Sequence, residues 1–143
     1  MKMKKICIDT GVFGIYFSKN RNVEVKELFD NIQNNKFKAF VVKPVLTEVY
    51  FHICRVQGIS EANVQLVSLM HNYALNCVDL DEALILNAGK LKCQHQSALS
   101  MIDCMSIALC LRENMEFHTT EKMVKRIPHN TLERLRIMKY NWS

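Results

Sequence analysis

Three acidic residues break into apolar stretches of this chain, and any fold that buries those stretches must also house the acids. Asp9 ends the run Ile6-Cys7-Ile8-Asp9, Glu48 interrupts Val45-Leu46-Thr47-Glu48-Val49-Tyr50-Phe51, and Asp103 is the only charge between Ala98 and Leu111. Carboxylates are almost never fully buried unless something pairs with them. Three of them, far apart in sequence, point to a fold that gathers them around something positive. A divalent cation such as Mg²⁺ or Mn²⁺ is the simplest candidate, because hard ions take oxygen ligands. Each acid also has an ordinary structural reading. Asp9 could cap a turn, Glu48 could pair with Lys43 or Arg55, and Asp103 could pair with an arginine from another helix.

The 143 residues fit one domain spanning 1–143, and 49% apolar content is enough for a core. No uncharged apolar run reaches the roughly 18 residues of a membrane span, so no membrane association is expected. The basic start Met1-Lys2-Met3-Lys4-Lys5 is followed by only a short apolar stretch that holds Asp9, which argues against a signal peptide. The six cysteines form no CxxC pair and lie mostly among apolar neighbours, as reduced buried thiols of a cytoplasmic protein would. The five histidines make no metal-ligand spacing. Net charge is +5, with Lys122, Lys125, Arg126, Arg134, Arg136 and Lys139 set against Glu121 and Glu133 in the final stretch. Such a field favours a polyanion such as nucleic acid, although a solvated basic surface gives the same charge.

The pattern along the chain predicts strands over Lys4–Ile8, Phe37–Val42, Asn76–Leu80 and Phe117–Thr120, with a weaker fifth over Arg134–Tyr140. Thr10-Gly11-Val12-Phe13-Gly14 reads as a turn. Helices are expected over Glu24–Asn34, from Pro44 to Gly58, from a Ser60 cap to about Tyr73, over Glu82–Cys93 capped by Asp81, and over Leu99–Asn114. Strands separated by helical stretches imply a parallel sheet with helices on both faces. Ligands of such sheets bind beyond the carboxyl ends of the strands. Asp9, Glu48 and Glu121 all fall at that edge.

Other motifs carry less. Glu121 follows the fourth strand, where acids are common. Thr10 and Thr120 could hydrogen-bond a ligating carboxylate or serve as ordinary turn residues. Asp79, Asp81 and Glu82 read as a strand-end acid and a helix start. Gly11-x-x-Gly14 lacks the further glycine or lysine of a phosphate loop. Asp9-Thr10-Gly11 also spells an aspartic-protease triplet, but those enzymes are nearly all β, unlike this chain. A phosphatase with an Asp nucleophile would want a second Asp where Gly11 stands.

Four blocks together resemble the PIN-domain family, including its VapC-like toxin ribonucleases. They are Ile6-Cys7-Ile8-Asp9-Thr10-Gly11-Val12-Phe13, Pro44-Val45-Leu46-Thr47-Glu48-Val49-Tyr50, Leu99 to Ala108 around Asp103, and Phe117-His118-Thr119-Thr120-Glu121-Lys122. Their order and spacing cover about residues 4–126. The resemblance implies a three-layer α/β/α sandwich with a mostly parallel sheet and Mg²⁺- or Mn²⁺-dependent endoribonuclease activity. Asp9, Glu48 and Asp103 would bind the metal, and Glu121 would complete the acidic pocket or hold a second ion, supported by Thr10 and Thr120. Homodimerisation and a small antitoxin partner are further implications. Gly11 and Glu121 depart from the family, which often has Asn or Ser and then Asp or Asn at these places. A non-catalytic PIN-like module that binds RNA or protein is the alternative.

Overall fold

The alternation of short β-branched runs with amphipathic stretches becomes an α/β fold. The structure, a computed structural model, describes residues 3–19, 21–72, 74–121 and 133–142. In chain order these form β1 (Lys4–Ile8), α1 (Thr10–Phe17), α2 (Val23–Gln33), β2 (Phe37–Val42), α3 (Lys43–Gln57), α4 (Ile59–Asn72), β3 (Leu75–Val78), α5 (Glu82–Gln94), α6 (Met101–Glu113), β4 (Glu116–Thr119) and β5 (Ile137–Lys139).

The five strands lie in the order β3-β2-β1-β4-β5, and every ladder between them is parallel. The chain therefore steps one way from β1 to β3, then returns across the sheet to β4. Right-handed crossovers place the helices of these two journeys on opposite faces. Accordingly α1 packs with α2 and α3, while α5 packs with α6, which lies on β1, β2 and β4. Ile6, Cys7 and Ile8 are consecutive and wholly buried, as a central strand covered on both faces must be. Where the step direction reverses, between β1 and β4, the carboxyl ends of the strands leave a crevice.

Local sequence sets most boundaries. Asn22 accepts from Val25 N–H and Asp81 from Leu84 N–H, each at 2.9 Å, capping α2 and α5. Pro44 lies in the first turn of α3, and Gly58 ends it at φ 91°, in the left-handed region. On the α1 side, Tyr16 stacks on Phe29 with ring centroids 4.0 Å apart, and Phe13 meets the same ring edge-on.

Several expectations change. Thr10–Gly14 is not a turn but the start of α1, which follows Asp9 at once. Its glycines serve packing: a Cβ on Gly11 would overlap the Thr120 hydroxyl, and one on Gly14 would come within 2.9 Å of the Trp142 ring. Ser60 does not cap α4; the helix already begins at Ile59, and the Gly58 carbonyl accepts from Ala62 N–H at 3.1 Å. The third to fifth strands are shorter or shifted by a residue or more, and α6 starts at Met101. Tyr73 and the basic residues Lys122, Lys125 and Arg126 lie outside the described residues.

A buried polar knot, unannounced by any local pattern, ties β5 to the sheet. His118 is buried and lies between Tyr140, whose hydroxyl is 2.8 Å from Nδ1, and Glu116, 2.8 Å from Nε2. Lys4 on β1 pairs with the same glutamate at 2.9 Å. Burial lowers the His118 pKa, opposed by the Glu116 charge. A neutral ring that donates from Nε2 to Glu116 and accepts at Nδ1 from Tyr140 satisfies all three groups. Tyr140→Phe keeps the ring but strips Nδ1 of its donor. We expect a loss of about 1–3 kcal/mol in urea denaturation; unchanged stability would show that the knot does not hold β5.

Candidate active site

The reversal point of the sheet is where the buried acids come together. Asp9 closes β1, and its backbone N–H donates to the His118 carbonyl at 3.0 Å, so the β1–β4 pairing runs up to the acid itself. The residue is only 5% exposed. Its Oδ2 accepts from the Thr119 hydroxyl at 2.9 Å. The same Thr119 oxygen accepts from Glu121 N–H at 2.9 Å. One hydroxyl thus fixes the Asp9 carboxyl and the turn that carries Glu121.

Asp103 arrives from the other face, in the first turn of α6. Its position comes from a capping box: Ser100 N–H donates to Asp103 Oδ2 at 3.2 Å, and Asp103 N–H donates to Ser100 Oγ at 3.1 Å. Asp103 is thus anchored by its own helix start, and among the described residues no arginine pairs with it. Asp9 likewise stands at the head of α1, but its side chain makes no cap bond there.

The electrostatics follow from this crowding. Burial first, and then the Asp103 carboxylate, push the Asp9 carboxyl from an ordinary 3.8 up to about 8; hydrogen bonds from Thr10 and Thr119 oppose the rise. Asp103 is also raised, chiefly by burial, with the Glu121 charge adding to it and Ser100 opposing. The two carboxyls are near enough to share a proton. Among the described residues, Asp9 Oδ1 and the Thr10 hydroxyl find no hydrogen-bond partner. A carboxylate crowded by a second one is relieved by a proton or a cation.

Glu48 stands apart from this pair. It is half-buried on α3 and borders a hollow shared with Phe51 and Ile102, the residue before Asp103. Lys43, offered as its partner, pairs instead with Asp79 at 2.8 Å. Among the described residues no three acids, histidines or cysteines are gathered closely enough to hold a metal ion. The donor set still fits Mg²⁺ or Mn²⁺. Such ions are commonly held by one or two carboxylates and otherwise by water and substrate oxygens, and Asp9 offers an unpaired buried oxygen beside Asp103.

Sequence reasoning named Thr10 and Thr120 as supports and passed over Thr119, which makes the bond. The alternation of β4 held the signal: Phe117 and Thr119 share a face, so Thr120 points elsewhere. It stands against Gly11, whose missing side chain leaves room for it. Ser100 was also missed, though Ser-x-x-Asp before an apolar run is a legible cap signature.

A sequence profile of the PIN domain matches residues 6–130. Comparison with curated protein sequences gave no match. Among solved structures, VapBC2 from Rickettsia felis, bound to a promoter DNA fragment, aligns with TM-score 0.71 at 15% identity, covering 96% of this chain and 99% of that one. A toxin–antitoxin complex from Klebsiella pneumoniae aligns at 0.66 and 14%, over 96% and 99%. VapC20 of Mycobacterium tuberculosis, a toxin that cleaves the sarcin–ricin loop, aligns at 0.67 and 15%, over 85% and 94%. At these identities the likeness is one of fold.

Two predictions follow from the geometry. Asp9 holds its proton to about pH 8 when folded and to about 3.8 in an ordinary setting. Between those values the folded state binds the extra proton, so its contribution to stability is full at low pH and lost as pH rises from about 4 to about 8. Asp9→Asn should therefore melt higher than the parent at pH 8 in EDTA, with the gap closing towards pH 4; equal melting curves at pH 8 would remove the argument for crowded acids. Gly11→Ala should cost about 1–3 kcal/mol by overpacking, and adding Thr120→Gly should recover part of it. Additive losses in the double variant would show that the two residues do not share that space.

Proposed function

Because the chain belongs to the PIN-domain family, we propose that its acidic crevice is the centre of a metal-dependent endoribonuclease, the toxin of a toxin–antitoxin pair. The observation that carries this reading is the Asp9 carboxyl, buried beside Asp103 with one oxygen lacking any donor. A divalent cation at such a place activates water and offsets charge on a phosphodiester.

The chain's own residues divide the work. Asp9 and Asp103 hold the ion, Glu121 and Glu48 complete the acidic pocket, and Thr119 keeps the Asp9 carboxyl turned into it. The overall charge of +5 favours the RNA backbone. The Rickettsia and Klebsiella likenesses support a small antitoxin as partner, and the M. tuberculosis one supports RNA as the substrate. Homodimerisation and a cytoplasmic setting belong to the same reading; no described helix is long and apolar enough to cross a membrane. One observation favours the non-cutting alternative: the described acids do not form a ready three-ligand set.

The test is cleavage of a mixed RNA pool in EDTA, Mg²⁺ and Mn²⁺. Cutting should need metal and fall about a hundredfold or more in Asp9→Asn and Asp103→Asn. Undiminished cutting by these variants would sink the proposed centre, and no cutting by the folded parent would favour a binding module. Thr119→Val should weaken Mn²⁺ about 10- to 100-fold in titration; parent-like affinity would mean that Thr119 does not orient the ligand.

A further inference from the structure

Beside Glu48, at the edge of the acidic pocket, lies a hollow. It is shallow and open to solvent rather than an enclosed cavity. Its walls include Phe51 and Ile102, with Lys43 and Glu48 among the polar residues around it. Two of these tie it to the acids: Glu48 itself, and Ile102, which precedes Asp103.

Phe51 is the informative residue. It follows Glu48 by three positions on α3, so the two share a helix face. Its ring is 56% exposed. A single exposed apolar side chain is ordinary, but this one stands between cations next to acids read as a phosphodiester-cutting centre. The Arg55 guanidinium lies over one face of the Phe51 ring, 5.7 Å from its centroid, and the His52 ring is tilted against it at 5.6 Å; a base would stack on the opposite face or displace the arginine. Lys43, at the head of the same helix, is paired among the described residues with Asp79, an exposed ion pair of the kind readily given up for a better anion.

An accessible aromatic face flanked by cations is what unpaired nucleotides bind: the base stacks on the ring and the phosphates meet the charges. Bases in a duplex have their faces covered by one another and cannot do this. Resting on the nuclease reading of the adjoining acids, we infer that Phe51 is a stacking platform for one unpaired base of single-stranded RNA, with Arg55 and Lys43 on its flanking phosphates. Substrate would then be selected for an unpaired base near the cut rather than for a particular base, since every base has a face to stack.

The test measures binding in EDTA, where cutting is suppressed, by fluorescence anisotropy of the whole chain. The probes are a labelled unstructured RNA and a duplex RNA of the same composition. Phe51→Ala should weaken the single strand roughly five- to a hundredfold and leave the duplex unchanged, while Phe51→Trp should restore binding. An unchanged single-strand affinity, or equal losses on both RNAs, would overturn the platform. So would unchanged RNA affinity together with loss of a bound antitoxin, which would assign the hollow to a protein. Because Phe51 is exposed, each variant should keep the parent melting temperature. The two readings fail separately: Phe51-dependent binding by a protein that never cuts keeps the platform and discards the nuclease. Asp9-dependent cutting with Phe51→Ala at parent affinity does the reverse.

Discussion

The 2.9 Å hydrogen bond from the Thr119 hydroxyl to the Asp9 carboxyl joins residues 110 positions apart in the chain, and the candidate site is arranged around it. It sits where β1 and β4 meet and the sheet reverses its order. There two strands end side by side and their side chains reach into one crevice. An acid buried at that point costs folding free energy unless something compensates it. The neutral donors Thr119 and Thr10 do so only in part, and the nearby Asp103 charge works against them. The fold therefore carries a local electrostatic strain that a proton or a cation relieves. Such strain at the mouth of a parallel sheet is a common mark of a functional site.

Much of this was legible in the sequence because burying charge is so unfavourable. Asp9 and Asp103 stood out as acids in apolar runs, and both prove to be buried within electrostatic reach of each other. Glu48 stood out by the same logic, yet it is only half-buried and faces a hollow. An apolar run on a helix wraps around all its faces, so an acid within it need not point inward. The alternation of strands and helices fixed the parallel sheet, since parallel neighbours need long crossovers.

What the sequence hid was chosen by tertiary contact. The glycines at 11 and 14 read as turn residues because their usual role is conformational freedom. Here they are helical, and small because Thr120 and Trp142 lie against them. No local pattern announces a neighbour from the far end of the chain. The same holds for His118, which looked like a scattered histidine and is instead clasped by Glu116 and Tyr140. Choosing Thr119 over Thr120 required the phase of a four-residue strand, and an error of one residue in a strand reverses every side chain.

The strand order has a consequence for how the protein is made. β1 emerges from the ribosome first, but its inner neighbour β4 follows only after three helical hairpins' worth of chain, and Asp103 and Thr119 come with that late portion. Until then Asp9 has neither its donor nor its partner acid. A nascent chain is thus without a finished acidic crevice until α6 and β4 have been made. The long sequence separation that slows the folding of a parallel sheet also delays the moment at which these acids first meet.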